Sequence, residues 1–432
     1  MQVTPPPSRV EPERDLEQRV ADLELLIEEA RRRTRRRRQR TAALILLVAA
    51  AGAALLIGFG GHGGNATGTT ALAGTRQLGI AANDQPLGAL PVPGGLPESF
   101  AFDPHNANIV YLLARGVVVK SVDGGAHWRA MPAKPRAGAY QVLVADPRQS
   151  GTLYLGTGLG VFKTIDGGQT WQRSTWGLFV PHFTDRNIGW VAALAVDPQN
   201  TNVVYAGSNR ISKSTDGGHS WKPVFTPQPA TPQNLNSISV SALAIAPTRP
   251  ETIYAIHANS HTGHTSIYTS TDAGTTWQTS LSVLGYLRGY VTDLAVDPHH
   301  PTTVYAAVGA TIVTTTNSGH TWEPIGHGLP VRAGLARGGC HCHNGVTTLA
   351  PDPEHPGTVY AALNQGAIYK TTDAGRRWRR VAPETDGVYG TSIVAVNPKR
   401  PATVFGATIN ELDLSGILLR TLNGGENWAS AP

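Results

Sequence analysis

The sequence predicts an all-β fold in which seven four-stranded units are arranged radially as a propeller. Two signatures, each present seven times, carry this prediction. The first is an octet with Ser or Thr at position 1, Asp or Asn at position 3, Gly at position 5 and Trp at position 8. Its copies are Ser121–Trp128, Thr164–Trp171, Ser214–Trp221, Ser270–Trp277, Thr315–Trp322, Thr371–Trp378 and Thr421–Trp428. Linked signatures that recur at a fixed period indicate one supersecondary unit used repeatedly.

The second signature precedes each octet and predicts the other strands of the unit. It is an apolar run that ends in Asp-Pro or a close variant, followed by a short β-branched and aromatic run, as in Leu194–Pro198 and Val203–Tyr205. Because proline cannot donate a hydrogen bond to a sheet, each Asp-Pro marks the end of a strand. Each unit therefore holds strand A before Asp-Pro, strand B at the Val-Tyr run, strand C leading into the octet, and strand D beginning at its Trp.

The octet itself predicts a tight hairpin between strands C and D. The side chain at position 3 can accept backbone N–H bonds, the glycine supplies a positive φ, and the Trp packs against the corner. Because Asn occupies position 3 in two copies, we predict a structural role for this position and not a catalytic or metal-binding one. The seven residues are Asp123, Asp166, Asp216, Asp272, Asn317, Asp373 and Asn423.

The octet resembles the Asp-box, also called the bacterial neuraminidase repeat, of sialidases, xyloglucanases, sortilin-type receptors and photosystem II assembly-factor propellers. The copies that begin at Thr164, Ser214 and Ser270 match that pattern in full. In three other copies His127, Arg377 and Asn427 replace the usual Thr or Ser before Trp. The resemblance implies a seven-bladed Asp-box propeller over residues 98–432, and a fold of this kind hosts many functions.

Residues 41–60 are uncharged and mostly apolar, and as a helix they would span about 30 Å, enough to cross a bilayer. Eight arginines lie just before them, between Arg31 and Arg40. Because positive flanks stay in the cytoplasm, we expect a single-pass signal anchor with a cytoplasmic N-terminus and an extracytoplasmic propeller. Residues 61–97 are rich in Gly, Ala, Thr and Pro, which is typical of a flexible stalk.

Residues 1–40 form a cytoplasmic tail with its own pattern. Apolar side chains recur at helical spacing from Leu16 to Ala30, which indicates an N-terminal helix. That helix either stays solvated or forms a short coiled coil that joins copies of the chain through residues 16–30. The arginine block suits anionic lipid headgroups. Since the tail contributes +3 of the net charge of +6, the propeller is only weakly basic and no specific nucleic-acid partner is expected.

Extra residues fall almost entirely in the B–C and D–A connections, which share one face of a propeller, here called the loop face. The A–B turns and the octets share the opposite face, here called the octet face. Variable loops on a rigid scaffold usually carry recognition, so we predict a protein or glycan ligand on the loop face; neutral insertion at exposed turns is the alternative. The candidate binding residues are Trp176, Phe179, His182, Tyr286 and Arg288.

A glycoside hydrolase is the main alternative to a binding or assembly module. This reaction needs two carboxylates on either side of the scissile bond, and the acids in the variable loops are Asp185, Glu411 and Asp413. The resemblance does not extend to the Arg-Ile-Pro motif of sialidases, and the chain has length for one propeller where similar xyloglucan hydrolases face two together. We therefore favour a binding module without a catalytic centre or obligatory cofactor.

Both cysteines of the chain lie in the segment Cys340-His341-Cys342-His343. Thiolate and imidazole ligands together suit Zn²⁺ or Cu(I). The one-residue spacing departs from the common spacing of zinc sites, so we favour a disulfide or a plain loop over a metal site. A metal site would gain support if His257, His261 and His264, which come from another loop of the same face, converged with this segment.

Overall fold

The computed structural model describes residues 97–114, 116–132, 135, 140–178, 190–227, 238–259, 264–283, 291–309, 311–330, 345–364, 366–382, 392–409 and 416–430. These residues form 28 strands in seven four-stranded sheets. Every strand pairs antiparallel with its neighbour in sequence, so each sheet is a simple meander. The seven-bladed propeller predicted from the repeats is confirmed.

The blades follow one another along the chain, and each contributes its strands in the order A, B, C, D. Blade 1 contains β1 (Pro97–Phe102), β2 (Val110–Ala114), β3 (Val117–Ser121) and β4 (Arg129–Ala130); blade 2 contains β5 (Tyr140–Ala145), β6 (Leu153–Thr157), β7 (Gly160–Thr164) and β8 (Gln172–Arg173); blade 3 contains β9 (Ala193–Val196), β10 (Val204–Gly207), β11 (Ile211–Ser214) and β12 (Lys222–Phe225); blade 4 contains β13 (Ile238–Ile245), β14 (Ile253–Asn259), β15 (His264–Ser270) and β16 (Gln278–Val283). Blade 5 contains β17 (Val291–Val296), β18 (Val304–Val308), β19 (Thr311–Thr315) and β20 (Glu323–Ile325); blade 6 contains β21 (Val346–Pro351), β22 (Val359–Leu363), β23 (Ile368–Thr371) and β24 (Arg379–Ala382); blade 7 contains β25 (Ser392–Val396), β26 (Val404–Ile409), β27 (Gly416–Thr421) and β28 (Ala429–Ser430).

The A strands of successive blades contact one another around the ring, and β25 of blade 7 contacts β1 of blade 1. The hydrophobic core lies between adjacent blades. In one such cluster Tyr305 and Ala307 of blade 5 pack with Leu349, Val359 and Ala361 of blade 6. The B strands of blades 1, 2, 5 and 6 are buried along their whole length because both of their faces meet neighbouring blades, which explains their largely apolar sequences.

The Asp of the Asp-Pro signature closes the A–B turn. In blade 3 Asp197 Oδ1 accepts hydrogen bonds from the backbone N–H groups of Gln199 (2.8 Å) and Asn200 (3.0 Å). Asp103, Asp146, Asp297 and Asp352 make the same pair of bonds. The Asp side chain thus supplies hydrogen-bond acceptors for the N–H groups of the turn, where the following proline ends the pairing of strand A. Blade 4 departs from the pattern, with Ala246 at this position.

The octet is a hairpin held by its own side chains. In blade 3 the Ser214 hydroxyl donates to Asp216 Oδ1 (2.8 Å) and accepts from the backbone N–H of Gly218 (2.8 Å). Asp216 also accepts from the backbone N–H (2.8 Å) and the hydroxyl (2.5 Å) of Ser220. In blade 1 the His127 ring nitrogen Nδ1 lies 2.6 Å from Asp123 Oδ2 and takes the place of that hydroxyl, which accounts for one departure from the family pattern.

Positions 4 and 5 of every octet have left-handed backbone. In blade 3 the φ angles are 67° at Gly217 and 89° at Gly218, and three octets hold a non-glycine residue at position 4, namely Ala273, Ser318 and Ala374. Position 5 is always glycine. A Cβ at Gly218 would lie 3.1 Å from Cε1 of Tyr154 in the preceding blade, so packing between blades and backbone conformation both require glycine there.

Blades 2, 3 and 6 each also hold the octet of the next blade through what we call the interblade clamp. The clamp consists of the aromatic residue of strand B and the residue just before the octet, both directed at the carbonyl of position 4 in the next octet. In blade 3 the Tyr205 hydroxyl and Lys213 Nζ each donate to the carbonyl of Ala273 at 2.8 Å. Lys213 Nζ also lies 5.3 Å from the centre of the Tyr205 ring, which is a cation–π contact.

The same clamp recurs in blades 2 and 6, where Tyr154 with Lys163 grips Gly217 and Tyr360 with Lys370 grips Gly424. Burial raises the pKa of each of these tyrosines and lowers the pKa of both lysines. Between blades 7 and 1 the aromatic residue is Phe405, which has no hydroxyl, and Arg420 Nη1 donates to the Gly124 carbonyl at 2.7 Å. This contact helps to close a ring whose first and last blades share no strand.

We expect Lys213→Met to lower the free energy of unfolding by about 1–3 kcal/mol, because it removes a charge-assisted hydrogen bond while keeping the aliphatic stem. Equilibrium denaturation at neutral pH measures the loss. The matched control is Lys222→Met, which changes an exposed lysine of β12 and should leave the stability within about 0.5 kcal/mol of the wild type. Equal stability of the two variants would contradict the clamp.

We expect Asp216→Asn to cost little at pH 7, because Asn317 Nδ2 donates to Thr321 Oγ1 (2.9 Å) in the equivalent place in blade 5. Hydrogen bonds, first from the Ser220 hydroxyl, hold the pKa of Asp216 at about 2, below its usual 3.8. The carboxylate therefore stabilises the fold above about pH 4, and this contribution is lost as the pH falls towards 2.

Denaturation at pH 7 and pH 3 checks this prediction. Asp216→Asn should show a smaller loss of stability between the two pH values than the wild type. Asp216→Ala, the comparison variant, should already be less stable at pH 7 by about 1–3 kcal/mol, because it leaves donors unpaired. An Asn variant that behaves like the Ala variant would argue for a role beyond the hairpin.

Candidate functional site

The octet carboxylates are committed to their hairpins and are poorly suited to catalysis or metal binding. Asp272 accepts hydrogen bonds from the Ser270 hydroxyl (2.8 Å) and from the backbone N–H and hydroxyl of Thr276 (2.8 and 2.6 Å). These bonds, the Thr276 hydroxyl foremost, lower the pKa of Asp272 to about 2. Within the described ranges, no group of three or more His, Cys, Asp or Glu side chains is placed to hold a metal ion.

Trp176 is the most exposed large hydrophobic side chain in the described part of the chain, with 83 % of its surface accessible. It lies in the D–A connection of blade 2, in a turn closed by a hydrogen bond from the Leu178 N–H to the Thr175 carbonyl (3.0 Å). Gly177 gives the turn its positive φ of 78°, and Leu178 is buried. An exposed indole on a turn whose next side chain is anchored in the core is suited to contact a ligand.

The backbone of this turn is fixed to the next blade. The N–H of Trp221 donates to the Trp176 carbonyl at 2.8 Å, and a Cβ at Gly177 would lie 2.2 Å from the Trp221 carbonyl oxygen. Blade 5 repeats the arrangement with His327, whose carbonyl accepts from the N–H of Trp378 (2.9 Å). Sequence reasoning did not connect the two turns, although both read Gly-Leu after the exposed residue.

Two carboxylates that the sequence analysis did not select lie at the loop-face ends of innermost strands. Glu98 is in β1 at a bulge and Asp293 is in β17 just after the equivalent bulge. Burial raises the pKa of Glu98 to about 7, against the opposing effect of a hydrogen bond from the Gly116 N–H. Burial likewise raises the pKa of Asp293 to about 7.

The two acids differ in their surroundings. Asp293 Oδ1 accepts from the backbone N–H of Leu294 (2.9 Å) and Oδ2 accepts from that of Leu349 (2.7 Å), so its carboxylate joins blades 5 and 6. Glu98 Oε2 is buried without a hydrogen-bond partner. The signal that could have found them is an acid in an otherwise apolar or neutral strand A, in Pro-Glu-Ser-Phe-Ala-Phe and Val-Thr-Asp-Leu-Ala-Val.

The octet face carries a group of exposed apolar side chains that the sequence analysis did not identify. Position 2 of the octet is Leu422, Val122 and Ile165 in the consecutive blades 7, 1 and 2, and these side chains are 50, 66 and 70 % exposed. The other four octets have threonine there. A cavity of about 400 Å³, lined mainly by apolar side chains including Phe100 and Phe102, lies at the innermost strands of the same blades.

Several predicted site residues lie outside the described residues. They are Phe179, His182, Tyr286 and Arg288 among the binding candidates, Asp185, Glu411 and Asp413 among the acids, and Cys340, His341, Cys342 and His343 with His261 among the metal ligands. The predicted tail, anchor and stalk also lie there. Among the residues that are described, no helix is long and apolar enough to cross a membrane.

His257 is described and is a buried residue of β14. Its ring packs edge-on against Tyr268 with ring centres 6.0 Å apart, and its Nε2 has no hydrogen-bond partner. Burial lowers the pKa of His257 to about 4. His257 is therefore a neutral histidine of the protein interior at pH 7.

No family model matches the chain. It is 26 % identical over 256 residues to a xyloglucanase from Paenibacillus sp, a match that covers 54 % of this chain and 20 % of that protein. It is 25 % identical over 205 residues to a probable oligoxyloglucan-reducing end-specific xyloglucanase from Neosartorya fischeri, covering 45 % of this chain and 24 % of that one. The chain thus spans a quarter or less of the length of these relatives.

Solved structures of similar fold include YCF48 from Cyanidioschyzon merolae, with a TM-score of 0.54, 15 % identity, and coverage of 78 % of this chain and 98 % of that one. YCF48 bound to D1 peptide has a TM-score of 0.53, 18 % identity, and coverage of 79 and 99 %. An ancestral GH74 enzyme has a TM-score of 0.52, 20 % identity, and coverage of 69 and 39 %. At these identities the likeness establishes the seven-bladed propeller fold, which xyloglucanases and YCF48 share.

We expect Glu98→Gln to make the stability of the protein less dependent on pH. Because the folded-state pKa of about 7 lies above the usual 4.5, ionisation of Glu98 destabilises the fold as the pH rises from about 4.5 to 7. Relative to the wild type, the Gln variant should therefore be more stable at pH 8 than at pH 5. Denaturation of both proteins at these two pH values tests this.

Glu323→Gln changes an exposed glutamate of β20 and is the control. Its stability relative to the wild type should be the same at pH 5 and pH 8 within about 0.5 kcal/mol. Since Asp293 ionises over the same range, part of the pH dependence should remain in Glu98→Gln. An unaltered pH dependence would show that Glu98 is solvated and ionised throughout this range.

Proposed function

We propose that this chain is a membrane-anchored binding or assembly module whose propeller holds a protein or glycan ligand outside the cytoplasm. Residues 41–60 provide the anchor, and the Arg31–Arg40 block favours a cytoplasmic N-terminus. The observation that carries the proposal is Trp176, an 83 % exposed indole on a backbone that is hydrogen-bonded to the neighbouring blade. A rigid aromatic anchor gives large contact area at small entropic cost.

Other features support a ligand near this residue. Trp190 is 45 % exposed and ends the same D–A connection, in which Phe179 and His182 also lie. Tyr286 and Arg288 belong to the D–A connection of blade 4 and would extend the surface. The solved propellers of similar fold include one bound to a peptide, and the sequence relatives are xyloglucanases, so both ligand classes are included in the proposal.

A glycoside hydrolase is the alternative function. It is favoured by the sequence similarity to xyloglucanases and by two acids of raised pKa, Glu98 and Asp293. Raised pKa values suit a general acid. However, both oxygens of Asp293 accept backbone hydrogen bonds, and blades 1 and 5 are not adjacent in the ring. The contacts therefore support the binding module more strongly.

We expect Trp176→Ala to weaken ligand binding by roughly tenfold or more, because the loss of an aromatic anchor commonly costs 2 kcal/mol or more. The full chain, in a detergent without a sugar headgroup, is tested against xyloglucan oligosaccharides and other cell-surface glycans, with product release followed alongside binding. Extracellular domains of candidate protein partners are tested in the same way. Melting temperature should be unchanged, since the side chain is exposed.

Ile165→Ala is the matched control, because it removes a 70 % exposed apolar side chain of the same blade from the opposite face. It should bind as the wild type does. Equal binding by both variants would contradict the role of Trp176. Glycan turnover that is lost in Glu98→Gln, Asp293→Asn, Asp185→Ala or Glu411→Ala would establish the hydrolase instead.

A further inference from the structure

The interface between blades 4 and 5 departs from the interblade clamp. The position just before the octet is lysine or arginine in blades 1, 2, 3, 6 and 7, but it is Thr269 in blade 4 and Thr314 in blade 5. In blade 5 the Thr314 hydroxyl donates to the Val304 carbonyl of its own sheet (3.1 Å). The Thr269 hydroxyl has no hydrogen-bond partner, although the residue is only 7 % exposed.

A cavity of about 270 Å³ lies where the lysine side chain would be. It is bounded by the octet of blade 4, by the first residues of β16 and by the octet of blade 5. This volume approaches the lower end of the range for small-molecule sites.

The lining is rich in hydroxyl groups. Thr269, Thr271, Thr276, Thr279, Ser280 and Ser318 contribute them, together with Gln278 and His320. Ser280 is held in place, since its hydroxyl donates to the Gly319 carbonyl (2.7 Å) and accepts from Trp322 Nε1 (3.0 Å). Hydroxyl groups both donate and accept, so this lining is complementary to a ligand that carries several hydroxyl groups of its own.

The cavity lacks the two carboxylates that lie near the clamp lysine of blade 2. Lys163 of blade 2 is influenced by Asp146 of its own A–B turn and Asp216 of the next octet. The corresponding residues around the cavity are Ala246 and Asn317. The carboxylate of Asp272 adjoins the lining but is already paired with Ser270 and Thr276. The lining therefore contains no acidic side chain of its own that could form a direct ion pair with an ammonium or guanidinium ligand.

We propose that the cavity between blades 4 and 5 binds a small neutral polyhydroxylated molecule, about the size of one sugar ring. The unpartnered Thr269 hydroxyl would hydrogen-bond it, and Thr279, Ser280 and Gln278 line the same cavity. The site lies two blades away from the Trp176 turn, so a test of this site does not depend on the function proposed above.

The test is a titration of the full chain, labelled with ¹⁵N at tryptophan and held in a detergent without a sugar headgroup. The indole N–H of Trp322 reports on the site because it donates to Ser280, and Trp322→Phe assigns its signal. D-glucose and myo-inositol are the neutral probes, and methylammonium is the cationic probe. We expect a saturable shift with at least one neutral probe, at a Kd in roughly the millimolar range, and none with methylammonium.

Two variants locate the site. Thr269→Lys restores the lysine found in the other clamps and should abolish the shift by filling the cavity. Thr269→Val keeps the shape, removes the hydroxyl and should weaken binding by about three- to tenfold, as expected for one neutral hydrogen bond. Thr314→Lys, the same change one blade further on, is the control and should bind as the wild type does.

Three results would overturn the proposal. They are the absence of a saturable shift with either neutral probe, a response to methylammonium alone, and binding that persists unchanged in Thr269→Lys. The absence of a shift would mean that the cavity holds only water. A response to methylammonium alone would mean that the cavity takes a cation in place of the absent lysine. Binding that persists in Thr269→Lys would mean that the probe binds elsewhere.

Discussion

The grip of each blade on the octet of the next is the interaction on which the rest of this structure depends. A four-stranded antiparallel sheet of this size cannot bury its own B strand, and its two faces are covered only when neighbouring blades lie against them. The octet makes that contact possible. Its internal hydrogen bonds leave the carbonyl of position 4 available, and blades 2, 3 and 6 each supply an aromatic hydroxyl and a lysine to the carbonyl of the next octet, as Tyr205 and Lys213 do at Ala273.

Closure of the ring follows from the same contact. The first and last blades consist of contiguous strands, so no strand shared between the chain ends fastens them. Phe405 packs against Phe100 and Trp128, with ring centres 5.6 and 6.4 Å apart, and Arg420 reaches the Gly124 carbonyl. Asn397 Nδ2 adds a bond to the Ala107 carbonyl at 2.8 Å. Apolar packing and a charged donor thus replace the tyrosine hydroxyl that blades 2, 3 and 6 use.

In such a scaffold we expect functional residues at positions that depart from the repeat pattern. Octet carboxylates and Asp-Pro turns are saturated by local bonds and have little left to offer a ligand. The departures are of three kinds: an exposed indole at Trp176, acids within the innermost strands at Glu98 and Asp293, and a threonine in place of a clamp lysine at Thr269. Trp176, Glu98 and Thr269 keep a surface or a polar atom that the fold itself does not use, whereas both oxygens of Asp293 already accept backbone hydrogen bonds.

The sequence by itself determined the architecture. The octet and the Asp-Pro signature are local, since each is satisfied by hydrogen bonds within a few residues, as those of Asp216 and Asp197 show. Seven copies therefore predicted seven blades and their strand order. The structural role of the octet acids also followed, because Asn317 and Asn423 stand in the same position.

Only the tertiary structure decided which departures matter, because the relevant contacts join residues about 40 to 70 positions apart, or opposite ends of the chain. Thr269 looks unremarkable in sequence, and its significance arises from the octet of the next blade. Glu98 and Asp293 acquire raised pKa values from burial among the innermost strands, which no local pattern records. Burial and the partners across a blade interface are properties of the closed ring, so they become visible only when its blades are assembled.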